Sequence, residues 1–262
     1  MVKPPHPVLA LMEMRAAPEF GAFAATAPAM TALLPRARHR RHVLVLPGFM
    51  AGDTSTRPLR MLLDTLGYKT QGWGLGTNLG PTAGIIDGLI DLIEGLERDR
   101  GPIDIIGWSL GGLFAREMAR LAPHTTRQII TLGSPFQTTG PDQSNARAAF
   151  AALRSRHSDD HLVPRLPSWA REPLPVPTTS IYSRTDGVVS WHQCLNRDLP
   201  RAENVEIYGS HCGLGHNPAA VFVVANRLAQ RDGHWKPFRP PRALRGLYPG
   251  SDVLDTDRIR AA

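Results

Sequence analysis

The chain has little of what staples or anchors a protein. Its 262 residues include two cysteines, Cys194 and Cys212, which excludes a disulfide-stapled mini-fold and matches no metal-ligand spacing. One bridge between them is open, with free thiols as the expectation. No apolar run approaches the ~20 residues of a membrane span. The most apolar stretch near the start, VLALMEM, and the residues just after it are interrupted by Glu13, Arg15 and Glu19, which spoils a signal-peptide core. AFAATAPA mimics a small-residue cleavage site, but a cytoplasmic location is the expectation. Lysine is nearly missing: 27 Arg stand against 3 Lys, and 23 acidic residues leave a net charge of +7. The arginines are scattered, with one true cluster, RARHRR at 36–41, and no nucleic-acid motif beside it. A solvated basic surface is therefore expected, with no nucleic-acid partner and with peripheral membrane contact left open.

With 42% hydrophobic residues the chain can bury a sizeable core. Short β-branched runs alternate with helical patterns from His42 onward, the pattern of an α/β fold with a mostly parallel sheet. Six strands are expected: HVLVL (42–46), YKTQGW (68–73), IDIIG (103–107), RQIITL (127–132), TTSIYS (178–183) and NVEIY (204–208). RPLRMLLDTLG reads as a helix closed by Gly67. Ile85, Ile86, Leu89, Ile90, Ile93 and Leu96 recur at helical spacing, and LFAREMARLA and AAVFVVANRLAQR supply two more helices. Residues 136–177 interrupt the alternation as a cap or lid insertion. Residues 1–41 and 233–262 form an arm and a tail, expected to pack on the domain or fray and to carry no chemistry.

The strongest local signal is IDIIGWSLGGLFAREMA: an apolar strand, then Gly107-Trp108-Ser109-Leu110-Gly111, then an amphipathic helix. G-x-S-x-G gains meaning from this strand and helix. Small residues two before and two after the serine allow a turn so sharp that a Cβ would clash. Such a turn holds the Ser109 hydroxyl at the carboxyl edge of the sheet, beside a helix N-terminus that favours negative charge. A serine nucleophile needs a base, and the base an orienting acid, in the chain order Ser, Asp or Glu, His.

Asp186 sits just past a strand, with Gly187 allowing a turn; Asp142, Asp159, Asp160 and Asp198 lack that position. In YGSHCGLGHNP, His211 lies three residues past the expected strand and suits the base. His216 precedes Asn217, a good N-cap, and Pro218, which suits a first helical turn, so it belongs to the helix entry. The two do not make a metal pair, lacking a third ligand and helical spacing, and no metal or cofactor is expected. For the tetrahedral oxyanion, one donor is the amide of Leu110; the other is the amide of Phe49, or less readily Met50, after HVLVLPG.

Taken together, VLPGF, GTNLGP, IIGWSLGG, TLGSP, IYSRTDGVV and GSHCGL, in this order over about residues 42–232, resemble small bacterial lipases and esterases of the α/β-hydrolase superfamily, of the lipase class 2 and GPI inositol-deacylase-like kind. The resemblance implies an α/β-hydrolase fold and a triad of Ser109, Asp186 and His211. It also implies that GWGLGTNLGPT lines a pocket, with Trp73, Leu75 and Leu79 available to an acyl chain; Trp108, beside the nucleophile, is a further candidate contact, with structural packing the commoner role for such a residue. The leading expectation is a serine ester hydrolase acting on a small-molecule or lipid ester. An acyltransferase or thioesterase would use the same triad, and a non-catalytic binding or membrane module would use the fold alone.

Overall fold

Strands form where β-branched and apolar residues run together, and the sheet they build fixes the positions of everything else. The computed structural model describes residues 3–39, 41–99, 102–138, 144–157, 174–196 and 200–250. Its strands are β1 His42–Leu46, β2 Lys69–Gly72, β3 Ile103–Trp108, β4 Thr126–Leu132, β5 Thr178–Tyr182 and β6 Ala202–Glu206. They pair in parallel in the order β2-β1-β3-β4-β5-β6. All six lie where the sequence predicts, except that β6 starts and ends two residues early. His211 therefore stands five residues past the strand, on a longer loop.

Alternation along each strand splits the core into two layers. Val43, Val45, Ile106, Ile130 and Leu132 face α3 (Asp53–Thr65) and α7 (Pro218–Leu228). Leu44, Leu46, Ile105 and Ile129 face α4 (Ala83–Asp99) and α5 (Leu110–Leu121). Burying each such side chain stabilises by about 1.5–3 kcal/mol. Because β1 and β3 are neighbours while β2 lies on the far side of β1, the loops after β1 and β3 open a crevice at the strands' carboxyl ends.

The arm does not fray. It forms α1 (Pro7–Leu11), a 3₁₀ turn (Met12–Arg15) and α2 (Ala16–Leu33), and Phe23, Met30 and Leu34 enter the α3/α7 layer. Phe238 and Tyr248 of the tail join the same layer, so the core extends past 42–232 at both ends. Of the expected cap, 139–143 and 158–173 lie outside the described residues, as do Asp142, Asp159, Asp160 and Asp198. Within the described part, α6 (Arg147–Ala152) carries Phe150, whose ring centroid is 5.4 Å from that of Phe49 and 4.6 Å from that of His157. His157 Nε2 lies 3.0 Å from the Leu79 carbonyl, so this segment sits over the loops that come after β1 and β2.

Candidate active site

The crevice between β1 and β3 begins with a backbone that only glycines permit. A Cβ on Gly107 would lie 2.3 Å from the Gly112 Cα, and one on Gly111 would lie 2.5 Å from the carbonyl oxygens of both Leu46 and Pro47. That crowding forces Ser109 to φ 52° and ψ −120°, in a region a side chain rarely adopts. Such strain costs on the order of 1–3 kcal/mol and persists only where the surroundings over-determine it. The elbow is the turn the motif predicts. Among the described residues the Ser109 hydroxyl makes no hydrogen bond to His211; catalytic hydrogen bonds are often long before substrate binds.

At the same sheet edge as the elbow, Asp186 and His211 form a tight pair. His211 Nδ1 and Asp186 Oδ2 are 2.6 Å apart, and both residues are buried. Asp186 Oδ1 accepts from the amides of Val188 (2.8 Å) and Val189 (2.7 Å), which fixes the carboxylate's angle. Gly133, at φ 57°, forms the floor: a Cβ there would stand 3.1 Å from His211 Nδ1 and 3.2 Å from Asp186 Oδ2. Burial pulls the His211 imidazole down, but the charge and hydrogen bond of Asp186, helped by the charge of Glu13, prevail and hold it above the ordinary 6.5.

The loop after β1, expected to supply an oxyanion donor, is locked by a residue that the sequence does not single out. Asn78 is fully buried; its Nδ2 donates to the Pro47 carbonyl at 2.9 Å, and its own carbonyl accepts the Met50 amide at 2.7 Å. Met50 is thereby spent as a donor. The amides of Phe49 and Leu110 have no protein acceptor among the described residues.

The candidate acyl contacts divide. Leu75 and Leu79 are half-buried on the loop after β2, which His157 meets at the Leu79 carbonyl. Trp73 is 1% exposed, stacked on Phe114, with its indole N–H on the Gly76 carbonyl, so it belongs to the core. Trp108 is also buried. Its Nε1 donates to the His211 carbonyl at 3.0 Å, so this side chain holds the base loop and does not line the crevice.

His216 separates from His211 as expected. Asn217 caps α7 by accepting from the amides of Ala219 and Ala220, with Pro218 at the first position. His216 Nε2 lies 3.3 Å from the Ala16 carbonyl, and its ring packs edge-on to Phe20. The cysteines are free, Cys194 buried and Cys212 exposed, so the possible bridge between the acid and base loops is not made.

The arm, expected to pack on the domain or fray, packs directly on the loops that carry Asp186 and His211. Glu13 accepts the amides of Gly187 (2.7 Å), His211 (2.9 Å) and Cys212 (2.9 Å). Glu19 accepts the Ser210 amide (2.9 Å) and hydroxyl (2.6 Å), and Arg15 donates to the carbonyls of Thr185 and Gly209. The only sequence sign was three charges interrupting an apolar arm. Gly187 is glycine because of this docking and not for a turn, since a Cβ would lie 2.1 Å from the Leu9 carbonyl oxygen.

Comparison with known proteins agrees with this architecture. Among solved structures, Aspergillus fumigatus lipase B is similar over 84% of this chain with a TM-score of 0.58 and 17% identity, and this chain spans 56% of that lipase's length. A metagenome-derived lipolytic enzyme of the LipS and LipT study is similar over 74% of this chain and 94% of its own, with a TM-score of 0.55 and 16% identity. The thioesterase domain from the curacin biosynthetic pathway is similar over 75% and 93%, with a TM-score of 0.51 and 14% identity. At such identities these likenesses show the fold. No curated protein matches. Residues 20–256 match the sequence pattern of the alpha/beta hydrolase family, nearly the whole described chain from arm to tail, and the chain belongs to that family.

Proposed function

We propose that this protein is a serine carboxylic-ester hydrolase with Ser109 as nucleophile, His211 as base and Asp186 as orienting acid. The observation that carries the reading is the buried 2.6 Å His211–Asp186 pair at the same sheet edge as a serine strained to φ 52°. Asp186 accepts the Nδ1 proton, which leaves Nε2 as the lone-pair acceptor for the Ser109 proton. Ser109 Oγ attacks the ester carbonyl, the amides of Phe49 and Leu110 receive the oxyanion, and His211 returns the proton to the leaving alcohol. Water then repeats the sequence on the acyl-enzyme. Each oxyanion donor is worth about 3–4 kcal/mol of barrier. Leu75, Leu79, Phe49 and Phe150 offer an apolar path for the acyl chain, which favours a small-molecule or lipid ester.

The pH dependence is set by His211. Its pKa is raised in the folded state, so its contribution to stability is complete below about pH 6.5 and fades as pH rises through the folded value. Catalysis needs the neutral ring, so kcat/KM should rise with pH along a limb lying above 6.5. The decisive test is hydrolysis of p-nitrophenyl butyrate by wild type and Ser109→Ala. The variant should lose on the order of 10⁴-fold or more in kcat; an unchanged rate would sink the assignment.

A further inference from the structure

The arm reaches the acid–base pair through one side chain placed where both loops meet. Glu13 Oε1 accepts from Gly187, the residue after Asp186, and from His211 itself; Oε2 accepts from Cys212. One carboxylate thus joins the loop after β5 to the loop after β6, across 174 to 199 residues of sequence. The contact is built in on both sides. Leu9 presses on Gly187, and a Cβ on Gly213 would lie 1.6 Å from Glu19 Oε2. Arg15 and Glu19, 3.4 Å apart, clasp Thr185, Gly209 and Ser210 around it.

We propose that Glu13 is a positioning residue for the reaction: its carboxylate fixes the Asp186 and His211 loops relative to each other and supplies a second negative charge behind the imidazole. This rests on the hydrolase reading above. Among the described residues no Lys or Arg nitrogen lies within 4 Å of Glu13, whereas the charge of Glu19 is shared with Arg15. Burial would raise the Glu13 carboxyl, but the three amides and His211 hold it below its ordinary value, so the charge is present wherever the enzyme works. As His211 takes the Ser109 proton and becomes cationic, Glu13 stabilises it from the backbone side while Asp186 does so from Nδ1.

The charged groups acting on the imidazole are Asp186 and Glu13; the buried Cys194 lies near Asp186, Cys212 lies beside Glu13, and Glu19 and Arg15 stand beyond Glu13 on the arm. Two effects on His211 can therefore be told apart by sign. Losing the Glu13 charge lowers its pKa, whereas merely loosening the arm relieves burial and raises it.

The test compares Glu13→Gln, which is nearly isosteric and keeps the Oε1 acceptor, with Glu19→Gln. Readouts are the pH profile of p-nitrophenyl butyrate hydrolysis and an imidazole NMR titration of His211, which needs no turnover. Glu13→Gln should lower kcat about 10- to 100-fold, the range a small misplacement of reacting groups produces. It should also move the acidic limb and the imidazole titration to lower pH, and Glu19→Gln should move them less. The proposal is overturned if Glu13→Gln stays within about twofold of wild type in kcat, if its limb is unmoved or shifts upward, or if Glu19→Gln shifts it equally. A wild type without esterase activity would sink the hydrolase reading alone, since the imidazole titration still reports on Glu13.

Discussion

The two halves of the candidate site are held by different kinds of force. The proposed nucleophile half, Ser109 with the amides of Phe49 and Leu110, is shaped by backbone crowding: a Cβ on Gly107 or Gly111 would meet a Cα atom or carbonyl oxygens at 2.3–2.5 Å, so little but glycine can occupy the turn. The acid–base half is shaped by side-chain hydrogen bonds from remote segments: Glu13 and Glu19 from the arm, Trp108 from β3. Backbone crowding that only glycine tolerates writes a motif into the sequence, whether its partner is near, as Gly112 is to Gly107, or far, as Leu46 and Pro47 are from Gly111. Hydrogen bonds between distant residues do not. The halves should also fail differently when damaged, the first losing fold and activity together, the second losing activity first.

Short of removing Ser109 itself, the largest effect should come from the acid–base half. In Asp186→Asn the amide oxygen can still accept from Val188 and Val189, but the NH₂ then faces His211 Nδ1. The imidazole must put its proton on Nε2 and can no longer take one from Ser109. A loss of about 10⁴-fold in kcat is expected, with the melting temperature close to wild type. A variant that unfolds, or one that retains a tenth of the activity, would break the contrast.

Gly111→Ala tests the other half. The new Cβ meets the carbonyl oxygens of Leu46 and Pro47 at 2.5 Å, so α5 must move away from β1 and carry the Leu110 amide away from that of Phe49. The expected loss in kcat is about 10²–10³-fold, the range for one misplaced oxyanion donor. Unlike Asp186→Asn, it should also lower stability by about 1–3 kcal/mol through overpacking. Burst titration with the p-nitrophenyl ester and a thermal melt on the same sample give both numbers.

These differences explain what is legible in the sequence. The parallel sheet is readable because buried strands are continuous apolar runs, and the elbow because its glycines sit two residues either side of Ser109. The entry to α7 is readable because Asn217 and Pro218 act on their own neighbours. Asp186 and His211 are readable only through their position after strands and their order after Ser109. Glu13 gives no such signal, because its partners lie 174 or more residues away and a charged residue in an arm resembles any solvated one. Asn78 is hidden for the same reason, its amide bridging to Pro47 across 31 residues. For Trp108 the sequence leaves packing and substrate contact both open, because adjacency to the nucleophile says nothing about which face of the sheet a strand residue takes, and the structure gives packing.

The smallest effect should come from His216→Ala, and it sharpens the contrast by probing a histidine near the base loop that belongs to neither half. The ring touches Phe20, Phe23 and Trp108, and only Trp108 leads on to His211, through the backbone carbonyl. Activity should stay within about threefold of wild type, while stability falls by about 1–2 kcal/mol as the contacts empty. Burial holds the His216 pKa below 6.5, against the smaller opposing pulls of the Ala16 carbonyl and Glu19. The folded wild type thus binds fewer protons here than the unfolded chain, and its stability from this site is present above pH 6.5 and lost as pH falls through the folded value. The variant has no such dependence. The gap in melting temperature between wild type and His216→Ala should therefore narrow between pH 7.5 and pH 5, modestly because solvent screens a ring that is only partly buried, while the acidic limb of kcat/KM set by His211 stays where it was. A limb that moved with His216→Ala would mean that the base loop feels this ring electrostatically, and that the two histidines are coupled where the packing says they are apart.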